Sequence, residues 1–91
     1  MSGKRIEIGN AGQLVGRQVA MLRIVQGLTQ DDLSDALIAR GRAINVPGIR
    51  AIENGRRRVD IDDLFALASA FGVEPWDLIR PLKVRVQRED A

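Results

Sequence analysis

Neither cysteine nor histidine occurs in this 91-residue chain, tyrosine is absent, and the aromatics amount to two phenylalanines and one tryptophan. Without cysteine there is no disulfide framework and no thiolate metal site. Without histidine the commonest general base and the commonest zinc ligand are both missing. No metal and no cofactor are expected. Long apolar runs are missing as well: none approaches the ~20 residues needed to cross a bilayer. Met1-Ser2-Gly3-Lys4-Arg5 has no apolar stretch behind it, so neither a signal peptide nor a membrane partner is expected, and a cytoplasmic location is. Repeats, low-complexity segments and interdomain linkers are absent. Catalytic constellations are absent too. Ser34 and Ser69 have no histidine to activate them. The paired carboxylates Asp31/Asp32 and Asp62/Asp63 fall at helix starts, where capping and dipole effects account for them. No glycine pattern follows a strand to cradle phosphate, and the chain is not expected to be an enzyme.

Ninety-one residues suffice for one domain and not for two. The apolar fraction of 45% can supply a single core, with modest burial per residue unless the chain dimerises. A net charge of +2 says little, but its distribution says more. Residues 40–58 carry Arg40, Arg42, Arg50, Arg56, Arg57 and Arg58 against Glu53 alone, a net of +5. Residues 59–79 carry five acids and no base, and residues 29–39 add three aspartates. A basic block between acidic ones reads either as a polyanion-binding face on a negative body or as an ordinary solvated surface.

The periodicity predicts an all-α chain. Val15, Val19, Leu22 and Val25 recur at helical spacing across Gln13–Gln26, and Gly27 is placed to end that helix. Thr29 caps a second helix running to about Ala39, with Asp31 and Asp32 in its first turn, a Leu28–Leu33 staple, and Ala36 and Leu37 continuing the apolar stripe. Residues 40–45 break the pattern and read as a connection. A third helix is predicted from Val46 or Pro47 to Glu53, with Asn45 as a possible cap, Ile49 and Ile52 inward, and Asn54-Gly55 as the stop. Asp60 caps a fourth helix whose buried face is Leu64, Leu67, Ala68 and Phe71, ended by Gly72. Glu74–Ile79 reads as a short fifth helix before Pro81, completing a compact five-helix bundle. Both ends differ. Arg5–Ile8 and Lys83–Gln87 alternate polar and apolar, which fits short terminal strands or disordered tails. A domain at 11–80 with terminal extensions at 1–10 and 81–91 is the expected organisation.

The series Leu28-Thr29-Gln30-Asp31-Asp32-Leu33, a turn, Ile49-Arg50-Ala51-Ile52-Glu53-Asn54-Gly55, then Leu64–Ala68 and Phe71-Gly72-Val73 resembles the Cro and phage-repressor type of helix-turn-helix. The resemblance runs over residues 14–79. It implies a lambda-repressor-like bundle that lays its third helix in the major groove of double-stranded DNA while the second crosses the backbone. Gln30 and Asn54 are phosphate contacts by this resemblance, and Arg56, Arg57 and Arg58 follow the reading helix where such proteins grip the backbone. Arg23 and Glu53 correspond to a buried structural ion pair. The base-edge positions fall on Val46, Pro47, Gly48, Arg50 and Ala51, and Asn45 stands at the helix start. None of the five is Gln or Asn, the bidentate readers of adenine, so direct readout is expected to be modest and DNA shape to contribute.

The connection between Leu37 and Glu53 is several residues longer than the family's usual one. It reads as a loop extension, an added turn of the second helix, or a segment that carries Arg42 to the DNA backbone or minor groove; a loop with a backbone contact is the favoured form. Family resemblance further implies a transcription regulator, a repressor of phage or prophage kind, acting as a homodimer on a dyad operator. Two surfaces are candidates for the dimer: Trp76, Leu78 and Ile79 in the fifth helix, with Trp76 as plain core the alternative, and Val84 and Val86 in the last strand. Two other functions are compatible with the sequence. One is an antitoxin that uses the same domain on DNA and its termini on a partner protein. The other is a protein-interaction module without DNA binding.

Overall fold

The structure is a computed structural model that describes residues 7–80. It has four α-helices: α1 Asn10–Val25, α2 Gln30–Ala39, α3 Val46–Glu53 and α4 Ile61–Phe71, followed by a 3-10 turn at Pro75–Leu78. The expected fifth α-helix is therefore a single four-residue turn. Asp77 N–H donates to Glu74 O at 2.9 Å and Ile79 N–H to Trp76 O at 3.2 Å, the i→i+3 pattern that suits short pieces. No strand occurs among the described residues. Glu7 and Ile8 are not in one, while Arg5, Ile6 and Lys83–Gln87 lie outside the described residues, Val84 and Val86 among them.

Each helix start has a local cause. Thr29 Oγ1 accepts from Asp32 N–H at 2.9 Å while the Asp32 carboxylate accepts from Thr29 N–H at 2.9 Å. The same reciprocal box closes α4 through Asp60 and Asp63. It satisfies two otherwise orphaned amides and places negative charge at the positive helix end. Asn45 caps α3 by accepting from Gly48 N–H at 2.9 Å, and Pro47 occupies the first turn, where its missing N–H has no intrahelical partner. The α2 terminus requires a glycine. Gly41 has φ +79°, which lets its N–H reach Ile38 O at 2.9 Å while Arg42 N–H reaches Leu37 O at 2.9 Å, a Schellman stop.

Val15 and Val19, Leu33 and Leu37, Ile49 and Ile52, and Leu64, Leu67, Ala68 and Phe71 form one core, closed by Leu78. Ile44 joins it from the connection, 3% exposed. Val25, counted from the sequence in the α1 stripe, is instead 74% exposed, because it stands in the last turn with nothing packed over it. Gly16 brings α1 against α3: a Cβ there would overlap the Ile52 carbonyl oxygen. Buried Gln18 donates to the backbone carbonyls of Asp77 and Arg80, and Gln26 donates to Phe71 O at 2.8 Å. Gln18 of α1 and Gln26 just after it thus fasten the turns at both ends of the segment that follows α4.

Backbone amides that donate into the Asp32, Asp60 and Asp77 carboxylates hold all three below the ordinary carboxylate range. A carboxyl whose folded pKa is depressed contributes stability above its unfolded pKa and loses it as pH falls through the folded value. The melting temperature followed by circular dichroism should therefore be level from about pH 7 to about pH 5 and decline below about pH 4. A melting temperature that rises on acidification would contradict this account of the caps.

Candidate nucleic-acid interface

Helix α3 buries Ile49 and Ile52 and turns the other side outward. Pro47, Arg50 and Asn54 are exposed and recur at i, i+3 and i+7, so they form one ridge along a helix about 12 Å long. Val46, Gly48 and Ala51 flank that ridge, half-buried, and Asn45 is exposed at its start. The ridge is small and smooth with one long cation, Arg50. Arg56 and Arg58 are exposed just beyond it, and neither side chain makes a hydrogen bond or ion pair among the described residues.

Two carboxylates set the frame around α3. Arg23 Nε donates to Glu53 Oε2 at 2.7 Å and Arg23 Nη2 to Glu53 Oε1 at 3.0 Å, a bidentate pair. The side chains are 16% and 8% exposed. Arg23 Nη1 also donates to Leu28 O at 3.0 Å, and the Glu53 hydrogen bond raises the guanidinium pKa further. Gln30, named from the sequence as a phosphate contact, donates its Nε2 to Glu53 Oε1 at 3.1 Å. Its side chain is oriented by the ion pair, and the start of α2 is fixed against the end of α3.

The second carboxylate is Asp63, 2% exposed. Arg42 Nε donates to its Oδ1 at 2.8 Å, and Arg42 Nη2 donates to both oxygens of Asp60 at 2.9 and 3.1 Å. The guanidinium of Arg42, expected to face the DNA backbone, is turned into the protein, onto the first turn of α4. Opposite charge 21 residues along the chain explains this, since α4 presents two carboxylates where the connection passes. Arg57 is divided from its neighbours in the same way. Its Nη2 lies 3.7 Å from Asp63 Oδ2. Its Nη1 lies 3.6 Å from where a Cβ on Gly48 would stand, buried and without a hydrogen-bond partner.

The connection at 40–45 is part of the packed body. Arg40 donates to Ala36 O and to Ser69 Oγ, each at 2.9 Å. Ser34 Oγ, buried in α2, donates to Ile44 O at 2.8 Å. The sequence reading missed Asp60, Asp63, Ser34 and Ile44 as the anchors of this segment. Asp60 and Asp63 were legible as a cap, but nothing local to them names an arginine so far away. On the other side, Trp76 and Ile79 are 53% and 52% exposed, whereas Leu78 is fully buried. Leu78 therefore belongs to the core and not to a surface available to a second chain.

A helix-turn-helix family model matches residues 19–77. Among solved structures the chain is similar to the hypothetical transcription factor NHTF from Neisseria, at 17% identity and TM-score 0.69, over 89% of this chain and 87% of that one. It is also similar to the restriction-modification controller protein C.AhdI from Aeromonas hydrophila, at 27% identity and TM-score 0.63, over 72% and 92%. The DNA-binding domain of BldD matches at 24% identity and TM-score 0.64, over 77% and 94%. Comparison with curated protein sequences gives no match.

Glu53→Ala leaves the Arg23 guanidinium buried without its partner and releases Gln30. Removing one member of such a pair is expected to cost about 3 kcal/mol in urea unfolding. A Glu53→Ala variant with the wild-type unfolding midpoint would show that the pair does not hold α1, α2 and α3 together.

Proposed function

The chain belongs to the Cro/C1-type helix-turn-helix family, and we propose that it is a sequence-specific double-stranded DNA-binding transcription regulator, not an enzyme, that represses from a dyad operator as a homodimer. The observation that carries this reading is the exposed ridge Pro47–Arg50–Asn54 on α3, bordered by Arg56 and Arg58 with no internal partner. A helix of this diameter fits a major groove about 12 Å wide. In that pose Arg50 is the one side chain long enough to make a bidentate contact with guanine. Val46, Pro47 and Ala51 offer apolar contacts to thymine methyls. Asn54, Arg56 and Arg58 fall at the exit of the groove, where phosphates fix register without reading sequence. Gln30, held by Glu53, stands at the start of α2, where the amides of Gln30 and Asp31, not used by the Thr29 cap, can receive a neighbouring phosphate.

A homodimer is supported by exposed apolar side chains away from α3. Ile61 and Ile79 line an apolar recess of about 210 Å³ with Val15, Val59 and Leu64, and Phe65 and Trp76 are also more than half exposed. Isolated exposed apolar residues are ordinary, but several on neighbouring elements mark an interaction surface. Two copies joined there bind half-sites one helical turn apart, ~34 Å. Transcription-factor and controller neighbours favour the regulatory reading over an antitoxin or a pure protein-interaction module.

Selection from a random pool of duplex DNA, followed by a salt titration on the recovered sequences, tests the proposal. An enriched motif with dyad symmetry and affinity that falls steeply with salt is the expected result. Absence of binding even at low salt would overturn it. Arg50→Ala should lose discrimination at one position of each half-site, worth about 1–3 kcal/mol. Arg58→Ala should weaken every sequence alike and reduce the salt slope by about 0.9 per protomer. Equal losses on every sequence for both variants would remove Arg50 from the readout.

A further inference from the structure

The six arginines of residues 40–58 do not form one pool of positive charge. Arg50, Arg56 and Arg58 are exposed and unpaired among the described residues. Arg40 is hydrogen-bonded to Ala36 and Ser69. Arg42 and Arg57 converge from opposite sides on one buried carboxylate, Asp63. Arg42 belongs to the segment that leads into α3, and Arg57 to the segment that leaves it. Asp63 itself is held by its own box with Asp60, whose N–H donates to Oδ2 at 3.1 Å, so it is a fixed point on α4.

The two arginines are gripped unequally. Arg42 has three close contacts to Asp60 and Asp63, in the range 2.8–3.1 Å. Arg57 has one long contact at 3.7 Å and a buried Nη1 that makes no hydrogen bond. A buried donor without a partner is costly, so Arg57 stays over the first turn of α3 because a carboxylate draws it there. Both side chains remain more than one-third exposed, within reach of solvent and of any phosphate brought to α3.

We propose that Asp63 is a specificity-determining positioning residue: its buried carboxylate withholds Arg42 and Arg57 from the DNA backbone and fixes both ends of α3. The proposal rests on the DNA-binding reading above. Phosphate contacts add affinity for every sequence equally, through counterion release. Two more free arginines beside α3 would therefore raise binding to random DNA more than they improve the choice of operator. An internal carboxylate that competes with phosphate limits this sequence-independent term. It also keeps the Asn45 cap and the ridge of α3 at one setting relative to α4.

The test compares wild type, Asp63→Asn and Arg57→Ala on the selected operator and on random duplex across a salt series. Asp63→Asn keeps the size of the side chain and an oxygen for the Asp60 amide while it removes the charge. Arg57 loses its carboxylate partner while Arg42 keeps its bonds to Asp60, so the salt slope on random DNA should steepen by about 0.9 per protomer through Arg57, and the operator-to-random affinity ratio should fall. Arg57→Ala, at a partly exposed position, should leave the wild-type slope unchanged, in contrast to Arg58→Ala. In the Asp63→Asn background it should remove the part of the steepening that Arg57 supplied. If Asp63→Asn does not fold, the Arg57→Ala slope decides alone: a loss of about 0.9 per protomer means that Arg57 is an ordinary phosphate contact and overturns the proposal. An unchanged slope for Asp63→Asn, with operator and random DNA weakened alike, also overturns it and leaves Asp63 a structural role. Failure of the wild type to bind any DNA overturns the functional reading itself, and this inference with it.

Discussion

Glu53 stands in the last turn of α3 with its carboxylate accepting from Arg23 on α1 and Gln30 on α2. Arg23 continues to the carbonyl of Leu28, just before the α2 cap. One acid therefore fixes three helices, including the two whose relative position defines a helix-turn-helix. The core alone cannot do this. Leu33, Leu37, Ile49 and Ile52 supply attraction without direction, and apolar surfaces slide at small cost. The bidentate geometry of a guanidinium on a carboxylate fixes an angle as well as a distance. Gly16 completes the constraint, since α1 meets the α3 backbone without an intervening Cβ.

Asp63 plays a matching part on the far side of α3. Glu53 locks the end of the reading helix to the helices before it, and Asp63 ties the chain on either side of that helix to α4. Both are buried acids whose arginine partners come from distant parts of the sequence. Their presence changes the meaning of the basic block. Its charge of +5 includes arginines held internally, so the net charge of the window overstates what the surface offers a polyanion. The acids of α4 help to cap their helix and also shape the distribution of positive charge next to it.

Much of this architecture is legible in the sequence because its causes are local. Thr29, Asn45 and Asp60 mark helix starts through hydrogen bonds that span three residues, and Gly27, Gly55 and Gly72 mark ends through a left-handed backbone. The helical periods of Leu33–Leu37 and Leu64–Phe71 name the core. Features that depend on distant partners are not legible in this way. Ile44 reads as part of a polar connection until Ser34 and the core are seen to receive it. Arg42 reads as a free cation until α4 places two carboxylates beside it. Val25 obeys the helical period but has no neighbour to bury it. The fifth helix reads as a full element because capping residues surround it, yet only four residues are available between Glu74 and the end of the turn.

The six-residue connection between α2 and α3 is held firmly rather than left as a loose joint. A solvated six-residue connection before a reading helix would let that helix move, since each flexible residue enlarges the set of connecting paths. Here a Schellman stop at Gly41 fixes how the chain leaves α2. Arg40 and Arg42 then hold it to α4, Ile44 enters the core, and Asn45 begins α3. Nearly every residue of the connection has an assigned contact. Arg40 and Arg42 are committed to partners on α2 and α4, so the side-chain cations beside α3 without a partner among the described residues are Arg50, Arg56 and Arg58. A rigid helix with a plain surface and few free cations depends more on fit than on the number of its contacts. Such a surface discriminates through the shape of the groove as well as through its base edges, and that demands the fixed setting of α3 that the two acids provide.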